Sequence, residues 1–208
     1  MATIQDAIRA YWLHRSMGML NELNNIFKMH HHPTAINQTI AKHLFEGAHQ
    51  AKMPYQTKYH YAKTFTAMSK ALCSSSLMTN KYADFDDLYS DVKKLLYPIS
   101  GIGLLTVYDV ALRIGFVRKE QILPQQKVYL SRGALYGANN LRNTMPKLFN
   151  KIPTHQLNRK GELTEGAYNI TIFDPILQAM TSPFLEDFFC VYDSKLKKLS
   201  SLTYKQLQ

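Results

Sequence analysis

Tyr97-Pro98-Ile99-Ser100-Gly101-Ile102-Gly103 joins two apolar helical patterns and decides the fold of this 208-residue chain. It is followed by Leu104-Leu105-Thr106-Val107-Tyr108-Asp109-Val110-Ala111-Leu112-Arg113-Ile114-Gly115. Two glycines separated by one residue permit a tight turn with positive φ and a close approach of the backbone. The helix after them begins with N–H groups that lack an intrahelical partner, and such groups attract phosphate. The stretch therefore predicts a turn between helices that can seat an anion.

The segments on both sides of the glycines have the periodicity of packed helices. Before them, apolar residues recur at spacings of three and four, and acidic residues occupy the first turn, where the helix dipole favours them. After them, a second apolar stripe runs to Gly115, which suits the end of a helix. The first stripe is Phe85, Leu88, Val92, Leu95 and Leu96, and the acidic residues at its start are Asp84, Asp86 and Asp87. The second stripe is Val107, Val110, Ala111 and Ile114, and Thr106, Asp109 and Arg113 lie on other faces.

This order of helix, apolar-x-Gly-apolar-Gly turn and helix resembles the helix-hairpin-helix superfamily over about 84–115. The matching residues are Ile99, Gly101, Ile102, Gly103, Thr106, Val107, Val110 and Ala111. The resemblance implies that backbone N–H groups of the turn hold phosphate, that a hydroxyl adds a donor, and that basic side chains attract from further away. The expected contact residues are Gly101, Ile102, Gly103, Leu104, Leu105, Thr106, Arg113, Arg118 and Lys119.

Among enzymes, the hairpin is similar to that of the base-excision DNA glycosylases, but it departs from their catalytic pattern. Leu105 stands where a Schiff-base lysine would be, and Tyr129 lies near the expected aspartate position. No Asp occurs between Asp109 and Asp174. Because a lysine nucleophile and a carboxylate are both missing, glycosylase chemistry has no source at these positions. The residues favour a protein that is not an enzyme, and we assign no catalytic residue.

The composition indicates a basic protein with a substantial core. The formal net charge is +10, from 25 Lys and Arg against 15 Asp and Glu, and 46% of the residues are hydrophobic. A local surplus of positive charge raises the affinity for polyanions. No apolar run is long enough to cross a membrane, so we expect a cytoplasmic protein without membrane contact. The surplus peaks within residues 101–150, at Arg113, Arg118, Lys119, Lys127, Arg132, Arg142 and Lys147.

These observations predict a protein that binds nucleic acid, with duplex DNA preferred, through phosphate contacts and without strong sequence preference. Two alternatives stay open. The hairpin could be a packing unit in a non-enzymatic scaffold or interaction protein, or the chain could be a glycosylase-like enzyme with relocated catalytic groups. Steep salt dependence of DNA binding would separate the first alternative from the prediction.

Helical patterns dominate the chain, and we expect a mostly α fold, a multi-helix globular domain containing the hairpin. Small residues at a spacing of four, Gly133, Ala134, Gly137 and Ala138, permit close packing against a neighbour, most simply the hairpin helices. Polar residues over 150–169 indicate a mobile loop. The expected parts are a helical domain over 1–150 with helices near 3–28, 34–51 and 57–72, a loop and C-terminal helices over 151–193, and a flexible tail over 194–208.

Other clusters of polar residues carry little chemical signal. His30, His31 and His32 are adjacent, so they cannot all face one ion, and we expect a solvated loop with no metal. Glu186 and Asp187 are neighbours that suit a helix start or an exposed turn. Two cysteines, Cys73 and Cys190, lie in apolar surroundings and suggest buried free thiols. No cofactor motif is present.

Overall fold

A computed structural model describes residues 3–14, 16–47 and 58–192, and over these residues the fold is mostly α-helical. This confirms the predicted fold class. The described helices and strands are α1 (Ile4–His14), α2 (Ser16–Met29), α3 (Gln38–Gly47), α4 (Lys58–Cys73), α5 (Phe85–Leu96), α6 (Leu104–Val117), β1 (Lys127–Leu130), α7 (Arg132–Thr144), β2 (Gly166–Asn169), α8 (Pro175–Gln178) and α9 (Ser182–Val191). Short 3-10 turns cover Pro146–Leu148, Thr154–Gln156 and Ile170–Ile172.

The chain divides into two compact units. The first unit comprises residues 1–19 and 125–208, and the second comprises residues 20–124. This division differs from the predicted boundary near residue 150, because β1 and α7 pair and pack with elements that follow that residue. The predicted flexible tail, 194–208, lies outside the described residues.

The first unit is built around a two-stranded antiparallel sheet and the packing of α7 on α9. Lys127 of β1 lies opposite Asn169 of β2, and Leu130 lies opposite Gly166. The Ser182 hydroxyl, at the start of α9, donates to the Lys127 carbonyl. Large aromatic side chains fill the core, among them Tyr11, Tyr168, Phe173, Phe188 and Phe189. The burial of these rings supplies the apolar area that holds the unit together.

The segment predicted as a mobile loop, 150–169, is tied down by hydrogen bonds. The Asn150 N–H donates to the Ile172 carbonyl at 2.6 Å. The buried Tyr168 hydroxyl lies 2.7 Å from the Thr164 carbonyl and accepts from the Thr164 N–H at 2.9 Å. Together with β2 and the 3-10 turn Thr154–Gln156, these bonds satisfy the backbone of a polar segment, which the composition alone could not show.

The second unit encloses α6, which is buried on nearly all sides. Its predicted inward stripe is buried, and so are Thr106, Asp109 and Arg113, which the sequence placed on other faces. The facing helix α5 buries Phe85, Leu88, Val92 and Leu96. Because other parts of the unit surround α6, the expectation that its polar residues lie outside the buried face was wrong.

Candidate nucleic-acid interface

The turn between α5 and α6 is compact and hydrogen-bonded. The Ile99 N–H donates to the Leu96 carbonyl at 3.0 Å, and the Ile102 N–H donates to the Ile99 carbonyl at 3.0 Å. Gly101 is exposed and has a φ of 90°, a conformation that side chains other than glycine rarely adopt. The Thr64 hydroxyl of α4 donates to the Ser100 carbonyl at 3.2 Å. The turn is therefore held in place by its own backbone and by α4.

The N-terminus of α6 has no side-chain cap. Gly103 is the N-cap with φ −101° and ψ 174°, no side chain caps the helix, and the first turn contains no acidic residue. A Cβ atom built on Gly103 meets nothing within 4 Å. The N–H groups of Leu104 and Leu105, both half-buried residues, belong to the first turn and have no intrahelical acceptor.

Two residues predicted at the turn are buried. Ile102 is 6% exposed, and Thr106 is 3% exposed. The Thr106 hydroxyl therefore does not face a surface ligand, and the prediction that it donates to phosphate does not fit its position. Ile102 anchors the turn to the core of the second unit, and only its backbone lies at the exposed segment.

The structure also corrects the roles expected of Arg113 and Arg118. Arg113 is 6% exposed, and its guanidinium lies 2.5 Å from a Glu22 carboxylate oxygen and 2.9 Å from the Asp109 carbonyl. Arg118 is also 6% exposed and donates to the carbonyls of Leu77 and Asn80. Burial lowers the pKa of the Arg118 guanidinium below its ordinary value. Both side chains stabilise the second unit from within.

Distance along α6 separates these basic residues from the turn as well. Arg113 follows Gly103 by ten residues, which corresponds to about 15 Å along a helix. Lys119 is exposed, but it comes after the last residue of α6. The predicted cluster of Arg113, Arg118 and Lys119 is thus not brought together with the glycines.

Three exposed residues that the sequence analysis did not assign lie beside the turn. Lys93 and Lys94 are in the last turn of α5, and Tyr97 follows the helix with 52% of its surface exposed. The Lys93 ammonium is 5.7 Å from the centroid of the Tyr97 ring, and Lys94 pairs with Asp91 at 3.1 Å. The sequence feature that could have identified Lys93 and Lys94 is a pair of basic residues in the last turn of the helix before the glycines.

The histidines form contacts that the expected solvated loop does not include. His30 Nε2 lies 2.5 Å from His43 Nδ1, and the rings of His31 and His32 have centroids 3.7 Å apart. Phe27 packs edge-on against both of the latter rings. Burial lowers the pKa of His30 below its ordinary value, and the neighbouring charge of His43 lowers it further.

Lowering the pH should destabilise the protein through His30. Because the folded state depresses the pKa of this group, the unfolded chain binds the proton more readily, and the free energy of unfolding falls as the pH drops through about 6.5. Urea unfolding at a series of pH values between about 5 and 8 measures the slope. The His30→Gln variant should have a flatter profile over this range, and an unchanged slope would contradict the assignment.

Two acidic residues that were expected at a helix start or on an exposed turn are buried in α9. Glu186 and Asp187 are 6% and 8% exposed, and the Tyr11 hydroxyl donates to Asp187 at 3.0 Å. The Cys190 thiol lies 3.3 Å from a Glu186 carboxylate oxygen. Of the two cysteines expected to be buried, Cys190 is half-buried and Cys73 is exposed; both are free.

Comparison with protein-family models, with curated proteins and with solved structures found no match for this chain. Within the described ranges, no three His, Cys, Asp or Glu side chains are arranged to hold a metal ion. Nor is any helix in that part of the chain both long and apolar enough to span a bilayer.

Proposed function

We propose that the chain binds nucleic acid, with duplex DNA preferred, by seating a backbone phosphate at the α5–α6 turn. The observation that carries the proposal is the uncapped N-terminus of α6 at the exposed Gly103. Free N–H groups and the positive end of the helix dipole favour an anion at such a position. Contacts of this kind position a protein on DNA without reading the bases, so binding should depend little on sequence.

The charges around the turn support a polyanionic ligand. Lys93 and Lys94 are exposed in the last turn of α5, and Lys63 is exposed beside Thr64, the α4 residue that contacts the turn. These ammonium groups replace Arg113 and Arg118 as the source of attraction for neighbouring phosphates. Because each neutralised phosphate releases counterions, binding should weaken steeply as the salt concentration rises.

Replacing Gly103 by Asp tests the phosphate seat without disturbing the fold. The φ and ψ of Gly103 suit an N-cap residue, and the added atoms enter open space. We expect the substitution to stabilise the helix by a few tenths of a kcal/mol, since Asp is a better N-cap than Gly. The same carboxylate would occupy the N–H groups and repel phosphate, so duplex affinity should fall about tenfold.

The matched control is Gly103→Asn, which caps the helix with a side chain of similar shape and no charge. Fluorescence anisotropy with a labelled random-sequence duplex across a salt series measures both variants against the wild type. We expect Asn to weaken binding much less than Asp. Equal affinities for all three proteins would instead favour the scaffold alternative, in which the turn, anchored by the buried Ile102, only packs.

A further inference from the structure

A long stretch of the first unit contains basic residues and no acidic ones. Between Glu120 and Glu162 the chain has seven Lys and Arg and no Asp or Glu. Five of these side chains are exposed, and they are Arg132, Lys147, Lys151, Arg159 and Lys160. Exposed side chains of one sign of charge attract polyanions. These seven residues lie in the first unit, whereas the α5–α6 turn lies in the second.

An exposed aromatic ring stands on the solvent face of α7. Tyr136 is 63% exposed, the largest exposed fraction among the described aromatic side chains that are exposed. Arg132 and Asn143 lie on the same face, one turn before Tyr136 and two turns after it, and both are exposed. The opposite face buries Ala134, Gly137, Ala138 and Leu141 against the core. The core does not use the ring of Tyr136, so both the ring and the basic side chains near it are accessible from solvent.

A rigid basic turn is fixed beside this face. Arg142 of α7 donates to the Gly161 carbonyl, and Asn139 exchanges two hydrogen bonds with the Leu163 backbone, at 2.8 and 3.2 Å. Within the turn, the Asn158 side chain accepts from the Lys160 and Glu162 N–H groups at 2.8 and 3.0 Å. These bonds hold the exposed side chains of Arg159 and Lys160 at the tip of the turn, next to α7.

We propose that Arg132, Tyr136 and Asn143 of α7, with Arg159 and Lys160 of the adjoining turn, form a binding surface for single-stranded nucleic acid. We call these five residues the α7 surface. Tyr136 stacks on an unpaired base, and the basic side chains neutralise the phosphates on either side. An exposed aromatic ring within a basic surface is the combination that single strands need, because their base faces are accessible.

The flat ring of Tyr136 favours a single strand over a duplex, whereas the basic side chains attract both. In a duplex the base faces are stacked on one another, so a ring standing on a convex helix cannot reach them. Glu162 is the acidic residue closest in sequence to the tip of the turn, and its carboxylate accepts from the Asn158 amide at 2.9 Å. The inference goes beyond the proposed function, since it concerns another surface and another form of nucleic acid.

Binding of a labelled oligothymidylate of about 20 nucleotides tests the α7 surface. We expect Tyr136→Ala to weaken binding about tenfold and Tyr136→Phe to keep wild-type affinity, because the ring and not the hydroxyl stacks. Combined Arg159→Ala and Lys160→Ala substitutions should make the slope of log affinity against log salt shallower by about 1.4, or 0.7 for each phosphate contact. All of these positions are exposed, so the variants should fold.

Met29→Ala is the control, a large exposed side chain of the second unit outside the α5–α6 turn. It should leave oligothymidylate binding unchanged. The inference is overturned if Tyr136→Ala binds as tightly as the wild type, if Met29→Ala and Tyr136→Ala lose the same affinity, or if the wild type shows no salt-dependent binding. Gly103→Asp is tested on duplex DNA and Tyr136→Ala on oligothymidylate. Failure of one proposal is therefore distinguishable from failure of the other.

Discussion

Gly137→Ala should destabilise the first unit by about 3 kcal/mol, the upper end of the range for overpacked sites. A Cβ atom on Gly137 would overlap the backbone carbonyl oxygen of Phe189, and a backbone atom cannot move aside as a flexible side chain can. The substitution would force α7 away from α9 and loosen the rings of Phe188 and Phe189 in the core. Its intrinsic gain in helix propensity, about 1 kcal/mol, is too small to offset the overlap.

Trp12, the single tryptophan of the chain, belongs to the first unit and provides the fluorescence signal for urea unfolding. Gly133→Ala is the control in the same helix. There the new Cβ atom would lie 3.3 Å from the Cys190 sulfur, which is the end of a side chain that can rotate. We expect the midpoint of unfolding to change little for Gly133→Ala and to fall clearly for Gly137→Ala. Similar midpoints for the two variants would contradict this account of the α7–α9 contact.

The spacing of small residues in α7 predicted close helix packing, but it could not name the neighbour. The hairpin helices were the expected neighbour and belong to the second unit, whereas the residue that Gly137 approaches is Phe189 of α9. A stripe of small residues specifies the distance between two helices. It contains no information about which apolar helix occupies the other side, since many faces of similar hydrophobicity compete for that place.

Local signals predicted the helices around the turn well. Asp84 caps α5 by accepting from the Asp87 N–H at 3.1 Å, and the apolar spacing fixed the buried face. Where the capping signal in the sequence was weaker, the predicted helix ends lay further from the observed ones. The helix expected from residue 34 begins at Gln38, after Asn37 accepts from the Ile40 N–H at 2.9 Å. In the span expected to be helical, 3–28, residues 4–14 and 16–28 lie in helices, and residue 15 is outside the described residues.

Contacts between distant residues account for most of what the sequence analysis missed. The strand β1 is four residues long, and its partner β2 follows about forty residues later, so no local pattern marks it. The same limit affected the candidate site. The count of basic residues after the glycines was correct, but the count cannot show that Arg113 meets Glu22, which lies 91 positions earlier in the chain. Basic residues that lie close together in the sequence do not form one surface here, because some are buried and others lie far from the glycines along the helix.

Replacing Arg118 by Met should destabilise the second unit by about 3 kcal/mol, because hydrogen bonds from a charged group contribute more than neutral ones. The substitution leaves the carbonyls of Leu77 and Asn80 without their donor. It also removes the guanidinium from its position 5.1 Å from the centroid of the Tyr82 ring. Urea unfolding followed by circular dichroism measures the loss.

Lys119→Met is the matched control for Arg118→Met, since it removes the same charge from the neighbouring, exposed position. We expect its unfolding free energy to stay within about 0.5 kcal/mol of the wild type. Duplex affinity, measured where both variants are folded, should fall by a similarly small factor in each, because neither residue lies beside the α5–α6 turn. A larger loss of affinity for Arg118→Met than for Lys119→Met would restore Arg118 as a phosphate ligand. If Arg118→Met has the unfolding free energy of the wild type, the buried hydrogen bonds of Arg118 contribute little to stability. The burial of its side chain would then have a different cause.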